Sequence, residues 1–313
     1  MRRKCRQNRY AEAASGFCVA GVWIVNVLEL PDIATLWREA EAYLSSDPAN
    51  NTHQLSAAKR IMDIGARYGE RFFAVYADYE DQGFDQLVAS AIYVDSKALF
   101  LAVMAPDSAS ALARQLRDDD VRLTGVIGRR DVLAAFTDSY ALPFSLHVDL
   151  MLYQLMSAPD FGRANGEARV ATMNDVELLV DWHRAFEIEV GMITVPTPLV
   201  ERVTRRINDG QLMLWMDARK PVTMAGANSL PAASARIGPV YTPPALRGRG
   251  YAQAVTAAAS ALVQRDGPRS VFLFTDAVNA GSNKAYQRIG FVHIADHAHL
   301  MFDASPATLT EQR

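Results

Sequence analysis

The chain has 313 residues, half of them hydrophobic and 21% charged, which excludes long-range disorder, collagen and low-complexity fibres. Its length suits about two domains of ~100–200 residues each. A formal net charge of −3 gives no global pull toward nucleic acid or an anionic membrane, so any anion site must be a local cluster.

The two cysteines, Cys5 and Cys18, both lie near the N-terminus. The rest of the chain therefore offers no disulfide framework and no CxxC metal knot, in keeping with a reducing, cytoplasmic setting. No apolar run reaches the ~18–20 residues needed to cross a bilayer. The stretch Phe17–Leu28 follows Arg2, Arg3, Lys4, Arg6 and Arg9 and faintly resembles a signal peptide. It is followed by Glu29-Leu30-Pro31-Asp32 rather than a small-x-small cleavage site, so residues 1–30 read as a poorly ordered extension outside the fold.

Beyond Pro31, Leu36, Trp37, Ala40 and Leu44 share one side of a helix over Ile33–Leu44, which stops at Ser45-Ser46-Asp47-Pro48. Leu55–Tyr68 reads as a second helix. Phe72–Tyr76, Leu87–Tyr93 and Ala98–Met104 read as strands, being short, apolar and partly β-branched or aromatic. A helix (Asp107–Leu116), a strand (Val121–Ile127), a helix (Arg129–Phe136) and a closing strand (Leu150–Leu155) follow.

Gly162, Asn165 and Gly166 make Pro159–Gly166 the expected linker. The order then returns. Arg169–Ala171 starts a strand, and Asp175–Phe186, capped by Thr172 or Asn174, and Leu199–Asn208 are helices. Leu212–Asp217, Val222–Asn228 and Ala235–Tyr241 are strands, and Tyr251–Arg265 is an Ala-rich helix. Ser270–Thr275 is a strand, Asn283–Ile289 a short helix, and Phe291–Ile294 and His299–Phe302 two final strands.

The halves can be laid over one another. Val103-Met104-Ala105-Pro106 matches Val240-Tyr241-Thr242-Pro243, and Val121–Phe136 matches Val271–Phe291 in its order of strand and helix. This predicts a duplicated unit of roughly 130 residues. The expected fold class is α/β, with two tandem lobes at 31–158 and 165–304, each a mixed sheet flanked by helices.

Arg236–Phe291 carries the chemistry. Pro239, Pro243 and Pro244 break the strand Ala235–Tyr241, because proline cannot donate to a ladder. A splayed strand leaves backbone groups facing a gap, where a ligand can pair with them. Arg247-Gly248-Arg249-Gly250-Tyr251-Ala252 then leads straight into a helix. Two glycines, a helix N-terminus and two arginines together make a phosphate cradle. A solvated basic turn would show the same residues. A Rossmann site would need glycine where Gln253 stands, and a Walker A loop would need Gly-Lys-Ser/Thr.

The same hexapeptide resembles the Q/R-x-x-G-x-G/A loop of the GNAT superfamily of N-acetyltransferases. Downstream, Phe272-Leu273-Phe274-Thr275, then Asn279, Ser282, Tyr286, Gly290 and Phe291, resemble that family's N-x-x-A/S-x-x-x-Y-x-x-x-G-F ending. The resemblance is close over 236–291 and covers the C-terminal half in outline. It implies direct attack of a primary amine, on a small molecule or a peptide, on the thioester of acetyl-CoA. It also implies cofactor-binding roles for Val240, Tyr241, Thr242, Arg247, Gly248, Arg249, Gly250, Tyr251, Ala252, Asn279, Ser282 and Asn283. In that scheme Tyr286 protonates the leaving thiolate, and Glu189 or Glu187, at the end of the Asp175–Phe186 helix, is the base. The resemblance implies acetyl-CoA as co-substrate, and no metal is expected: His293, His297 and His299 come with no cysteine and no pattern of supporting carboxylates.

The N-terminal copy has Asp107-Ser108-Ala109 in place of the loop and no tyrosine in Arg130–Phe136, so it reads as a structural lobe walling the acceptor site. Expected partners are the amine, neither nucleic acid nor membrane, and at most a second copy of the chain. Two readings of another class remain. One is a non-catalytic acyl-CoA-binding or sensing module; the other is a dimerisation protein with a relict site.

Overall fold

Asp32 accepts a hydrogen bond from the Thr35 N–H at 2.7 Å and starts helix α1 (Ile33–Ser46), whose Leu36, Ala40 and Leu44 form one fully buried stripe. The computed structural model describes residues 24–67, 69–78, 85–94, 98–191, 197–265, 267 and 269–303. They fall into two compact units. One comprises the described residues of Met1–Asp149 and Asp296–Arg313; the other is Leu150–Ala295.

In the first unit, β1 (Ile24–Leu30) is followed by α1, α2 (Thr52–Ile64), β2 (Arg71–Asp78), β3 (Asp85–Val94) and β4 (Ala98–Leu101). Then come α3 (Pro106–Asp118), β5 (Gly125–Arg129), α4 (Arg130–Tyr140) and β6 (Phe144–Leu155). The strands β1 to β4 pair antiparallel in sequence order, and β4 pairs parallel with β5 through Leu99↔Val126 and Phe100↔Ile127. Its core gathers Phe73, Leu99, Leu112, Leu116, Val126 and Phe136, all at most 3% exposed.

The second unit repeats the order. It runs β7 (Glu167–Val170), α5 (Val176–Glu189), α6 (Leu199–Asn208), β8 (Leu212–Asp217), β9 (Lys220–Leu230) and β10 (Ser234–Tyr241). It ends with α7 (Tyr251–Gln264), β11 (Ser270–Asp276), α8 (Ala280–Ile289) and β12 (Phe291–Phe302). Here β7 to β10 pair antiparallel in order, and β10 pairs parallel with β11. The duplication predicted from sequence is thus present in the topology.

Each sheet is closed by a strand from the other repeat. Leu150–Gln154 of β6 pairs with β11, and His297–Met301 of β12 pairs with β5. The α7 face is small: Ala254, Ala257, Ala258 and Ala259 are buried, so the helix lies close on the strands. The opposite face takes α5 and α6 through Leu179, Trp182, Val203 and Ile207. Entry into α5 is fixed by Asp175, which accepts from the Thr172 N–H at 2.8 Å and from Arg169 at 2.7 and 2.8 Å. The Arg169 guanidinium, with Thr172, holds the Asp175 carboxyl down at about 2.

Several sequence expectations need correction. Residues 24–30 are no extension but strand β1, paired with β2 from Ile24↔Asp78 to Leu30↔Phe72, the counterpart of β7. Residues 1–23, with Cys5 and Cys18, lie outside the described residues. Pro159–Gly166 lies inside the second unit, where Asp160 N–H donates to Ile289 O at 3.0 Å and Trp215 Nε1 donates to Asn165 O at 2.8 Å. The two final strands are one, Phe291–Phe302. Among the described residues no helix is long and apolar enough to cross a membrane.

Candidate active site

Ile237 faces Ala227 across β9 and Val240 faces Ala225, so Gly238 and Pro239 together stand opposite Gly226. This is a β-bulge, and it coincides with the end of the other ladder. β10 pairs with β11 only over Ser234, Ala235 and Arg236, although the two strands continue to Tyr241 and Asp276. From Ile237 onward the β10 edge away from β9 has no ladder partner among the described residues, and the sheet opens there. The splay expected from Pro239 is present, and Val240 lies within it.

The bulge has a lock that no sequence motif announced. Arg206 of α6 donates from Nη2 to Gly238 O at 2.8 Å and to Asn228 Oδ1 at 3.1 Å. Asn228 Nδ2 donates to the same Gly238 O at 3.0 Å. Gly226 makes room: a Cβ there would collide with Arg206 Nη2 and with Gly238 O. His183 of α5 completes the cluster. Its Nδ1 faces Leu179 O at 2.8 Å and must carry the proton, which leaves Nε2 to accept from Arg206 Nη1 at 3.5 Å.

Burial, then the Arg206 charge, lowers the His183 pKa to about 4. The folded chain therefore keeps this ring neutral. Below ~6.5 the unfolded chain takes up a proton that the folded one refuses until about 4. Stability should fall as the pH drops through that window, by up to about 1.4 kcal/mol per pH unit from this ring. Urea unfolding across the window checks this, with His183→Gln expected to flatten the slope. An identical slope in both proteins would contradict it.

The glycine loop follows β10. Gly248 (φ +78°) and Gly250 (φ +82°) both occupy the left-handed region that glycine adopts without strain. Gly250 is the N-cap of α7 and no side chain caps that end, so the N–H groups of its first turn have no helical or capping acceptor. Two groups fix the loop. Tyr251 buries its ring in the α7 core and its hydroxyl donates to Asp217. Gln253, in the position where a Rossmann motif needs glycine, donates to Asp160 O at 3.4 Å.

Arg247 does not hang in solvent. Its Nε donates to Thr242 O at 2.9 Å, its guanidinium sits 5.9 Å from the centre of the Tyr241 ring, and Nη2 pairs with Glu189 at 2.6 Å. Thr223 Oγ1 donates to Tyr241 O at 2.8 Å, so the carbonyls of Tyr241 and Thr242 are engaged internally. Arg249 is exposed and reaches Ala245 O at 3.5 Å.

The expected bases are both paired with arginine. Glu187 binds Arg202 at 2.8 Å, joining α5 to α6, and Glu189 binds the loop through Arg247. If Glu189 positions the loop and the donor is acetyl-CoA as the resemblance implies, Glu189→Gln should raise the donor KM by at most about five-fold, the worth of an exposed ion pair, with kcat nearly unchanged. If it is the base, kcat falls instead; steady-state kinetics separate the two.

On α8, Asn279 is the N-cap, its Oδ1 accepting from Ser282 N–H at 3.1 Å. Asn283 donates to Ala277 O at 3.2 Å, and its buried Oδ1 has no hydrogen-bond partner. Tyr286 is 8% exposed, in edge-to-face contact with Phe291. Burial pushes its phenol up to about 12, with Ser282 pulling weakly the other way. Ala252 starts the second residue of α7, beside the loop.

The equivalent place in the first unit differs. Pro106 and Asp107 open α3, putting a carboxylate in the first turn where the second unit has bare N–H groups. Counted from the helix start, Phe136 in α4 takes the place of Tyr286. His297 faces Asn50 Oδ1 at 3.2 Å and His299 stacks edge-on with His147. Among the described residues no group of three or more His, Cys, Asp or Glu is placed to hold a metal ion.

Residues 177–291, a little over a third of the chain, match the model of the Acetyltransferase (GNAT) family. Solved structures of similar fold cover about 90% of the chain. An acetyltransferase of the GNAT family from Colwellia psychrerythraea has a TM-score of 0.57 at 14% identity, covering 90% of this chain and all of its own. A GCN5-related N-acetyltransferase from Sphaerobacter thermophilus has a TM-score of 0.57 at 17% identity, covering 89% and 94%. A tandem GNAT protein from the clavulanic acid biosynthesis pathway has 0.52 at 10% identity, covering 90% and 99%. At these identities the likeness is one of fold. No curated protein matches the sequence significantly.

Proposed function

We propose that the second unit transfers an acetyl group from acetyl-CoA to a primary amine. The observation that carries this is the uncapped N-terminus of α7, behind two left-handed glycines, directly after the strand that splays from β11. The loop and first helical turn offer N–H groups and a positive dipole end to the pyrophosphate. The open edge of β10 at Val240 offers backbone groups to the pantetheine arm and the thioester carbonyl. In this reading Asn279, the N-cap of α8, and Asn283, with its buried unpartnered oxygen, would meet the pantetheine arm.

The amine nitrogen forms a bond to the carbonyl carbon and the carbonyl electrons move to oxygen. Collapse breaks the C–S bond and releases the amide and the CoA thiolate. The proton leaves the nitrogen through water, since Glu187 and Glu189 are engaged by arginines. A phenol at about 12 is a weak acid beside a thiol near ~8.5, so full transfer would be uphill by roughly 5 kcal/mol. Tyr286 therefore acts as a hydrogen-bond donor to the departing sulfur, and water completes its protonation.

Because Asp107 and Phe136 replace the loop and the tyrosine, the first unit should bind no acetyl-CoA. Titration calorimetry should give one acetyl-CoA per chain; a value near two would show that the first unit binds as well, and no heat at all would remove the phosphate-loop reading.

A further inference from the structure

Arg206 and Arg236 lie on the face of the sheet covered by α5 and α6, beside the opening of β10. Arg206 Nε is enclosed and has no hydrogen-bond partner, and the rest of its guanidinium spends its hydrogen bonds on neutral groups: Gly238 O, Asn228 and His183. Arg236, half-buried on the last residue that pairs with β11, makes no side-chain hydrogen bond among the described residues. Neither forms an ion pair there. Glu187, on α5, is paired with Arg202. Among the described residues the charges that bear on Arg206 are positive, from Arg236, Arg202 and Arg205, and burial lowers both Arg206 and Arg236 to about 10, still cationic at neutral pH.

Two partly desolvated like charges with no counter-ion are costly, and a carboxylate is the group that offsets them best. The usual resolution, a carboxylate from the protein, is absent among the described residues. A bulge lock alone would need only Arg206, since Arg236 takes no part in it. We propose that Arg236, with Arg206 behind it, receives an anion from the acceptor, so that the preferred substrate is an amine that also carries a carboxylate. Arg236 supplies the contact; Arg206 is a positioning residue that also adds charge. This rests on the acetyl-transfer reading of the same cleft and names its acceptor class. The phosphates of acetyl-CoA are assigned to the α7 end and leave this pair free.

The test compares matched amines: an amino acid, its methyl ester and the amine lacking the carboxyl group. Each is assayed for kcat/KM at saturating acetyl-CoA. The wild type should prefer the carboxylate by at least ten-fold over both neutral analogues. In Arg236→Gln that ratio should fall toward one, and in Arg236→Lys, which keeps a point charge without the fork, it should lie between. A second readout without turnover is the thermal midpoint. The amino acid should raise it in the wild type, and inorganic phosphate at equal concentration should raise it less. A wild type that treats the three amines alike, or a ratio unmoved in both variants, overturns the proposal. So does phosphate matching the amino acid, which would mark a general anion site. A chain that binds no acetyl-CoA fails instead at the underlying reading, and calorimetry with acetyl-CoA alone tells these failures apart.

Discussion

Tyr286→Phe is expected to lower kcat by ~10–10²-fold, while acetyl-CoA affinity stays within about two-fold. A hydrogen bond to a charged atom is worth about 1.5–3 kcal/mol, and here the charge develops only as the sulfur departs. The ring stays, so its contact with Phe291 survives and folding should be little disturbed. The pH profile adds a sign. Burial pushes the phenol to about 12, so it remains protonated throughout an assay range up to pH 10. Neither protein should lose activity there through this group. An alkaline limb near pH 10 in the wild type that disappears in the variant would contradict this and show an exposed, ordinary phenol acting as an acid. Unchanged kcat would make Tyr286 a wall of the site.

Gly250→Val should weaken acetyl-CoA binding by ~10²-fold, which corresponds to losing about one or two charge-assisted hydrogen bonds from the loop. Gly250 has φ +82° and caps α7; a β-branched residue resists that conformation by roughly 1–2 kcal/mol. The loop would relax and turn its N–H groups away. Space is not the obstacle, since an added Cβ meets only Ala164 Cβ at 3.7 Å, so the unit should remain folded with a modestly lower melting temperature. Calorimetry with circular dichroism decides: full affinity in a folded variant would mean that the phosphates bind elsewhere.

The parts of this site that rest on backbone chemistry were legible in the sequence. Pro239 cannot serve a ladder, and the ladder to β11 does end at Arg236. Gly248 and Gly250 before an Ala-rich helix do form an uncapped helix entrance. What stayed hidden depends on long-range side chains. Arg206 in an amphipathic helix looks like any solvated arginine, and only the bulge across the sheet gives it Gly238 O to bind. Gly226 sits mid-strand with no turn to explain it; the guanidinium and carbonyl beside it supply the reason. Strand β1 was missed because its apolar run continues a basic N-terminal stretch, which hid its pairing with β2. Residues 159–166 have a linker's composition, yet their backbone is held by Ile289 and Trp215. The single strand β12 reads as two because Ala295-Asp296 interrupts its apolar pattern; there the chain passes from one unit to the other.

Transfer of an acetyl group to an amine, as distinct from merely holding an acyl-CoA, is what would make this cleft an active site. Its most direct test follows free CoA thiol and acetylated amine together, in one reaction of the full chain with acetyl-CoA, with and without an amino acid. Thiol release should need the amine and match the amide formed mole for mole. Binding of acetyl-CoA with no amine-dependent thiol release would contradict it, and would leave a module that holds the acyl-CoA without using it.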